Sequence, residues 1–534
     1  MLRSTFILYA LWASVATAAS VPKDLKACVQ KAFAASDPDK RIVSPGDATY
    51  TDARMGEKIQ FDEFPALIAY AKEVSEVGPL VKCALKAGYK PVARAGGHHF
   101  LAYSALNNSL VIDLAHVNHV QVSADKKTAA VGSGIRLGGL YTALGAYGAT
   151  FVGGICPTVG LGGLISAGGF GMQMRALGMA ADYVASAKVI LADGTTVVAS
   201  PTSHPDLFWA IRGGGGGTYG IVVEYTLKLS TFPRSAMLYL SWNETWNKTG
   251  NVRYDVAKRF LAWGPAQPKE FTSQVNVFKN SIQVVGWYLG GSAQQLGQIV
   301  NASGLLEIGS PQVVVSGGCN TDNSRLFGYT TFECLPDDQV DASIMNVIPE
   351  PYSKYADNAQ FTYEEVPKSS TRDQAWPWQR TRRLSKSFFM QKSKPLTDDV
   401  LKAVVDRIGQ ADDGAQAWGE WHAWNLSSTD TGSAFAWRHQ ALAHLEFIAE
   451  GSEDAVVQEM REQWFADVEG LLRPAVGPAS YPGFMDADIS VNPLTAYYGS
   501  NVCRLVGIKS KYDPGNVFTN PSAIPPKAPQ GISC

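Results

Sequence analysis

Two clusters in this 534-residue chain carry residue types and spacings that do chemistry. The first is Arg94-Ala95-Gly96-Gly97-His98-His99. Paired glycines let successive backbone N–H groups point one way and form a nest for an anion such as a dinucleotide pyrophosphate. Taken alone, the stretch reads better as a tight loop with an exposed histidine. The second is Gly153-Gly154-Ile155-Cys156-Pro157-Thr158-Val159-Gly160-Leu161-Gly162-Gly163. It sets a cysteine in nearly bare backbone, where a thiol is accessible and N–H dipoles favour the thiolate. A buried, inert cysteine is common, but a core segment does not need five glycines around its sulfur. No G-x-G-x-x-G opens a helix with an acid about 20 residues on, which argues against a Rossmann site. No G-x-x-x-x-G-K-[ST] occurs, which excludes a P-loop.

Candidate proton acceptors lie further along. In Leu442-Ala443-His444-Leu445-Glu446-Phe447, strand alternation puts Glu446 on the face of His444. A carboxylate on an apolar strand is rare unless exposed or functional. Glu446 reads equally as a base and as an edge-strand glutamate facing solvent. Trp418, Trp421 and Trp424 alternate faces on a strand and share one on a helix. They read as platforms for sugar or phenolic rings, or as sheet core, the commoner fate of a single tryptophan. His116-Val117-Asn118-His119 lacks further zinc ligands and reads as a surface loop, so no metal site is expected.

The elements that must position these residues come in two textures. Residues 60–230 alternate short apolar runs with helical patterns. Leu67–Ala87 has helical spacing, as has Leu137–Tyr147. Lys90–Ala93, Leu110–Asp113, Ala129–Gly132 and Lys188–Leu191 read as strands. After Pro233, strands are expected at Ala236–Trp242, Gln274–Phe278, Ile282–Tyr288, Trp418–Trp424 and Ala441–Ile448. Helices fit at Tyr254–Leu261 and Leu396–Ile408, making a second α+β domain. The tail from Tyr497 to Ile524 reads as loop- and turn-rich. Hydrophobic residues make up 46% and charged residues 18%, which excludes a wholly disordered chain. Lys+Arg is 46 and Asp+Glu 48, a net charge of −2 that argues against a nucleic-acid partner.

Residues 1–19 read as a secretion signal: Arg3, an apolar Phe6–Ala16 stretch, then Ala16-Thr17-Ala18 for cleavage. No other run is long enough to span a membrane. Seven cysteines fit an oxidising compartment. We assign the pairs Cys319–Cys334, Cys28–Cys83 and Cys503–Cys534, which leaves Cys156. Sequons stand at Asn107, Asn243, Asn247, Asn301 and Asn425.

Several motifs in order resemble the berberine-bridge-enzyme-like flavoproteins, within the vanillyl-alcohol-oxidase type of FAD-linked oxidases. They are Arg94–His98, Ile112-Asp113-Leu114, Gly154–Gly163 and Gly168-Gly169-Phe170-Gly171. Ala192-Asp193-Gly194, His204–Gly214, Tyr497–Asn501 and Lys511–Phe518 complete the set. The resemblance implies an α+β fold with three parts after the signal. These are a PCMH-type FAD-binding domain (20–235), a substrate domain with a large antiparallel sheet (236–479) and a C-terminal segment (480–534) returning to the FAD domain. It implies bicovalent FAD, with His98 on the 8α-methyl and Cys156 on C6; His99 is then a neighbour. Arg94, Gly96, Gly97, Thr158, Gly162, Gly163 and Gly169 would line the cofactor, the glycines through N–H groups. Ile221 and Val222 would pack near the adenine, and Asn501 would reach the flavin domain. Val159 would stand where oxygen approaches and leave it room. Leu164 departs from the histidine often found there.

Glu446 and Tyr481 are the implied catalytic pair, although Gly483 and Phe484 depart from the family's Tyr-x-Asn-Tyr-x-Asp. The expected activity is oxidation of the anomeric C1 hydroxyl of oligosaccharides to a lactone, by a secreted monomer, with O2 as electron acceptor and H2O2 released. Alternatives are oxidation of small alcohols, phenols or alkaloid-like metabolites, a dehydrogenase, and a flavin-containing protein with little turnover.

Overall fold

A computed structural model describes residues 23–33, 38–145, 147, 149–156, 158–231, 235–244, 251–319, 380, 382–412, 414, 416–426, 432–451 and 453–534. The signal reading of residues 1–19, the Cys319–Cys334 pair and the Asn247 sequon lie outside the described residues.

Strands β1 (Ile42–Val43), β2 (Leu67–Tyr70), β3 (Lys90–Arg94) and β4 (Ser109–Asp113) form a sheet ordered β1-β2-β4-β3. Two pairings, β2 with β4 and β4 with β3, are parallel, and β1 pairs antiparallel with β2 at the edge. All four residues of β2 are buried. Interior parallel strands are covered on both faces and read as continuous apolar runs. That corrects the helical reading of Leu67–Ala87: the strand's unbroken run mimicked helical spacing, and the helix is Val74–Lys86. The disulfide Cys28–Cys83 ties the helix Lys23–Ala32 to it.

β5 (Val120–Val122), β6 (Thr128–Gly132), β7 (Val184–Ile190), β8 (Thr196–Ala199) and β9 (Ile221–Lys228) make an antiparallel sheet ordered β5-β6-β9-β7-β8. The glycine-rich segment 153–171 runs between β6 and β7. His116 and Asn118 are fully buried, which corrects the surface-loop reading. Gly132 and Gly134 leave no room for a Cβ beside the backbone of Val117 and Leu114, so the loop is pressed into the interior.

β10 (Ser235–Asn243), β11 (Phe271–Val277), β12 (Ser281–Tyr288), β13 (Gln312–Cys319), β14 (Arg382–Gln391), β15 (Ala417–Ala423) and β16 (Ala441–Gly451) form an antiparallel sheet. Its order is β13-β10-β12-β11-β15-β16-β14. One face buries Leu238, Val275, Val284, Trp421, Leu445 and Phe388 in a core shared with the helices Val252–Trp263, Asp398–Gly409 and Ala455–Val476. Registers place Gln274, Glu420, His422, His444, Glu446 and Ser387 together on the other face. This large antiparallel sheet is the one expected; β13, β14 and the helices Ala293–Asn301 and Ala455–Val476 were not. In β14 the charges of Arg382, Arg383 and Lys386 dilute the alternation. Among the described residues no helix is long and apolar enough to cross a membrane.

The tail is less loop-like than its turn residues suggest, because Val502–Tyr512 is a helix. Its Val502, Leu505, Val506 and Ile508 pack with Tyr497 and Tyr498 into the core of the second sheet. The disulfide Cys503–Cys534 pins its start. Lys509 is fully buried and donates to Asp513 (2.6 Å) and to the carbonyls of Thr218 (2.7 Å) and Phe518 (2.6 Å). Asp513 in turn accepts the N–H groups of Val517 and Phe518, which closes the turn. Lys509→Met should strand the Asp513 carboxylate in the interior; removing one partner of a buried pair costs about 3–5 kcal/mol, measurable by denaturant unfolding.

Candidate active site

The two glycine-rich loops meet through bare backbone. A Cβ on Gly96 would collide with Gly160, and one on Gly160 with Gly96, so only glycine permits this approach. Gly97 has φ +71° and its carbonyl accepts the N–H of Glu57 at 2.9 Å. The N–H groups of Gly96 and Gly97 make no hydrogen bond among the described residues. A Cβ on Gly163 would meet nothing within 4 Å. Unpaired donors and open space beside bare backbone are what a dinucleotide needs, so the residues fit FAD.

His98 Nε2 lies 2.8 Å from Thr158 Oγ1, which directs it at the Cys156 loop. Arg136 holds that loop through the Thr158 carbonyl at 2.5 Å. His99 turns away: its Nδ1 accepts from the Leu101 N–H (3.1 Å) and its ring stacks on Tyr103 at 4.8 Å. Burial, with Lys58, Arg136 and Arg383 nearby, holds His98 well below its ordinary range, so the imidazole is neutral. Cys156 is the free cysteine among those described and is exposed. Desolvation by the surrounding protein, reinforced by Glu420, pushes the thiol up to about 11. This corrects the expectation of a favoured thiolate: desolvation outweighs the loop's N–H dipoles.

Other expected cofactor residues are placed differently. Gly162 gives its N–H to Ser133 (3.1 Å) and Gly169 gives its N–H to the Tyr481 phenol oxygen (3.2 Å), so neither donor is left for a ligand. Asn501 donates to the Ala434 carbonyl at 3.0 Å. Arg94 is turned to Asp113 at 2.5 Å. Ile221 is buried in β9, and the Val222 carbonyl accepts Ser133 Oγ at 2.6 Å. Val159 packs with Leu164 against the first-domain core.

The polar face of the large sheet supplies the opposite wall. Glu446 stands directly opposite Glu420 in the β15–β16 register. Ser385 donates to Glu446 and Trp418 Nε1 to Glu420, both at 2.9 Å. Desolvation raises Glu446 well above the usual carboxylate range, and Glu420 raises it further. The base candidate is therefore an interior residue, not an edge glutamate. Lys58, buried beneath the Phe100 ring at 4.5 Å and paired with Glu57, contributes positive potential, as does Arg383, paired with Glu450. Gln60 donates to the Arg383 carbonyl at 2.8 Å and so fastens this segment to β14.

Phe170, from the Gly168–Gly171 motif, reaches across to the sheet. Its ring lies 5.2 Å from His422, Trp424 and His444 and 5.0 Å from Tyr481, edge-on to each. Trp421 and Trp424 are fully buried, so the core reading holds for them and neither offers a platform. Glu420, Lys58 and Arg383 were missed in the sequence. Glu420 had a signal, since Trp418, Glu420, His422 and Trp424 alternate on one face; Lys58 and Arg383 had none.

Residues 65–200 match the FAD binding domain family and residues 480–525 match the berberine and berberine-like family. FAD-linked oxidoreductase pynB of Aspergillus niger is 58% identical over 527 residues, covering 98% of this chain and 96% of that protein. The chain belongs to the berberine-bridge-enzyme-like FAD-linked oxidoreductases. Chitooligosaccharide oxidase of Gibberella zeae is 26% identical over 543 residues, covering 98% of this chain and 99% of that protein. The solved structure of Physcomitrella patens BBE-like 1 superposes with TM-score 0.77 at 25% identity, covering 94% of this chain and 99% of that one. This family member is thus an FAD-dependent oxidoreductase, and its two glycine-rich loops are held together by one glycine pair. Gly96→Val should force them apart, and the flavin content per purified polypeptide should fall well below that of the parent.

Proposed function

We propose that this oxidoreductase is a secreted oxidase of alcohol carbons that holds FAD through His98 and Cys156 and accepts the hydroxyl proton on Glu446. The observation that carries it is the Glu446 carboxyl on the sheet face turned toward the two cofactor loops, with Ser385 donating to it. When bound, the flavin supplies a two-electron acceptor for the hydride leaving the substrate carbon, and dioxygen takes the electrons on as H2O2.

The chain's own residues handle the proton. Glu446 takes it from the hydroxyl, which lets the carbon–oxygen double bond form. Tyr481 accepts from Gly169, and burial keeps its phenol protonated, so it can orient the substrate oxygen by donation but not serve as base. The aromatic group around Phe170 excludes water beside the carboxyl. Val159, part-buried next to Leu164, is small enough to admit oxygen. A neutral His98 and a leftover Cys156 support double attachment. The two disulfides Cys28–Cys83 and Cys503–Cys534 support secretion.

With Trp421 and Trp424 sealed in the interior, the cleft favours a compact hydroxylated molecule over a long glycan. The likeness to chitooligosaccharide oxidase favours the second reading, oxidation at an anomeric carbon to a lactone. H2O2 release across aromatic and aliphatic alcohols and chito-, cello- and xylo-oligosaccharides separates the two. Glu446→Gln should slow flavin reduction in rapid mixing at least about 100-fold; an unchanged rate would move the base elsewhere. His98→Ala and Cys156→Ala should each retain the flavin through acid precipitation, and the double variant should release it into the supernatant.

A further inference from the structure

We infer that Glu420 and Glu446 share one retained proton, so that the two carboxyls work as one acceptor with a single negative charge. This rests on the reading of Glu446 as the base. The two residues are directly opposed on β15 and β16. Side chains so placed have Cβ atoms about 5 Å apart. Glu446 is buried and Glu420 is part-buried. Each carboxyl has one neutral donor of its own, Ser385 for Glu446 and Trp418 for Glu420.

Among the described residues no cation is bonded to either carboxyl. Arg383 acts on both from a distance but is paired with Glu450, and Lys58 is paired with Glu57. The other titratable groups near the pair, among the described residues, are uncharged. Burial takes His422 down to about 3 and His444 well below its usual range, and it keeps Cys156 and Tyr481 protonated. Two adjacent carboxylates in such surroundings cannot both ionise near neutral pH, and the proton retained belongs to the pair. Glu446 is free to accept when Glu420 holds that proton. The proton leaving the substrate oxygen then joins the pair's one negative charge, and the pair sheds one proton before the next turnover.

The sign of the stability effect follows. Above about pH 4 an unfolded glutamate has lost its proton, whereas the folded pair retains one. The folded state binds more protons, so stability falls as pH rises. Glu420→Gln and Glu446→Gln each remove this penalty. In the flavin-loaded protein, the Tm of either variant relative to the parent should rise steadily from about pH 5 to about pH 8. The double variant should gain little beyond either single one. A difference independent of pH, or additive gains, would overturn the inference. With a turnover substrate, Glu420→Gln should also move the acid limb of flavin reduction, and an unmoved limb would make Glu420 a structural bystander. If Glu446→Gln reduced its flavin at the parent rate, the base reading would fall, while the Tm series would still decide whether the proton is shared.

Discussion

The contact of Gly96 with Gly160 is the constraint on which the rest depends. It brings the end of β3, with His98, against the loop that carries Cys156, at a separation no side chain permits. Each loop is anchored from behind. Arg94 with Asp113 braces the first, and Arg136 with the Thr158 carbonyl braces the second. Because the contact is made by backbone alone, donors at Gly96 and Gly97 remain for a ligand. Glycine's conformational cost is accepted where close approach is the function.

The second sheet solves a different problem. A seven-stranded sheet with one apolar and one polar face must cover both. Helices cover the apolar face. The polar face is covered by the cofactor loops, with Phe170 seated among His422, His444 and Tyr481. Charged clamps hold the halves together: Arg438 grips Asp182 through two 2.6 Å bonds, and Arg175 donates to five backbone carbonyls between Gly264 and Phe271. Buried guanidinium groups are tolerated when they are paired or hydrogen-bonded in this way.

Between these walls the electrostatics are set mainly by desolvation. It makes His98, His422 and His444 neutral, raises Cys156 and both glutamates, and lowers Lys58. A site so poor in net charge gives any proton released by a substrate few places to go. In the proposed reaction this concentrates proton handling on the paired carboxyls.

The sequence by itself determined the glycine-rich loops, the α+β class and most strands of the large sheet, because glycine clusters and strand alternation are local properties. It also gave the pairs Cys28–Cys83 and Cys503–Cys534, and Cys156 is the free cysteine among those described. Tertiary structure decided what depends on partners distant in the chain. Leu67–Tyr70 became a strand because β1 and β4 flank it. Gly162 and Gly169 lost their donors to Ser133 and Tyr481. Glu420 became Glu446's neighbour only when β15 docked on β16, and Lys58 and Arg383 joined them from more than 300 residues apart in sequence. Burial and charge at a point in space are sums over everything that packs there, and no local pattern contains that sum.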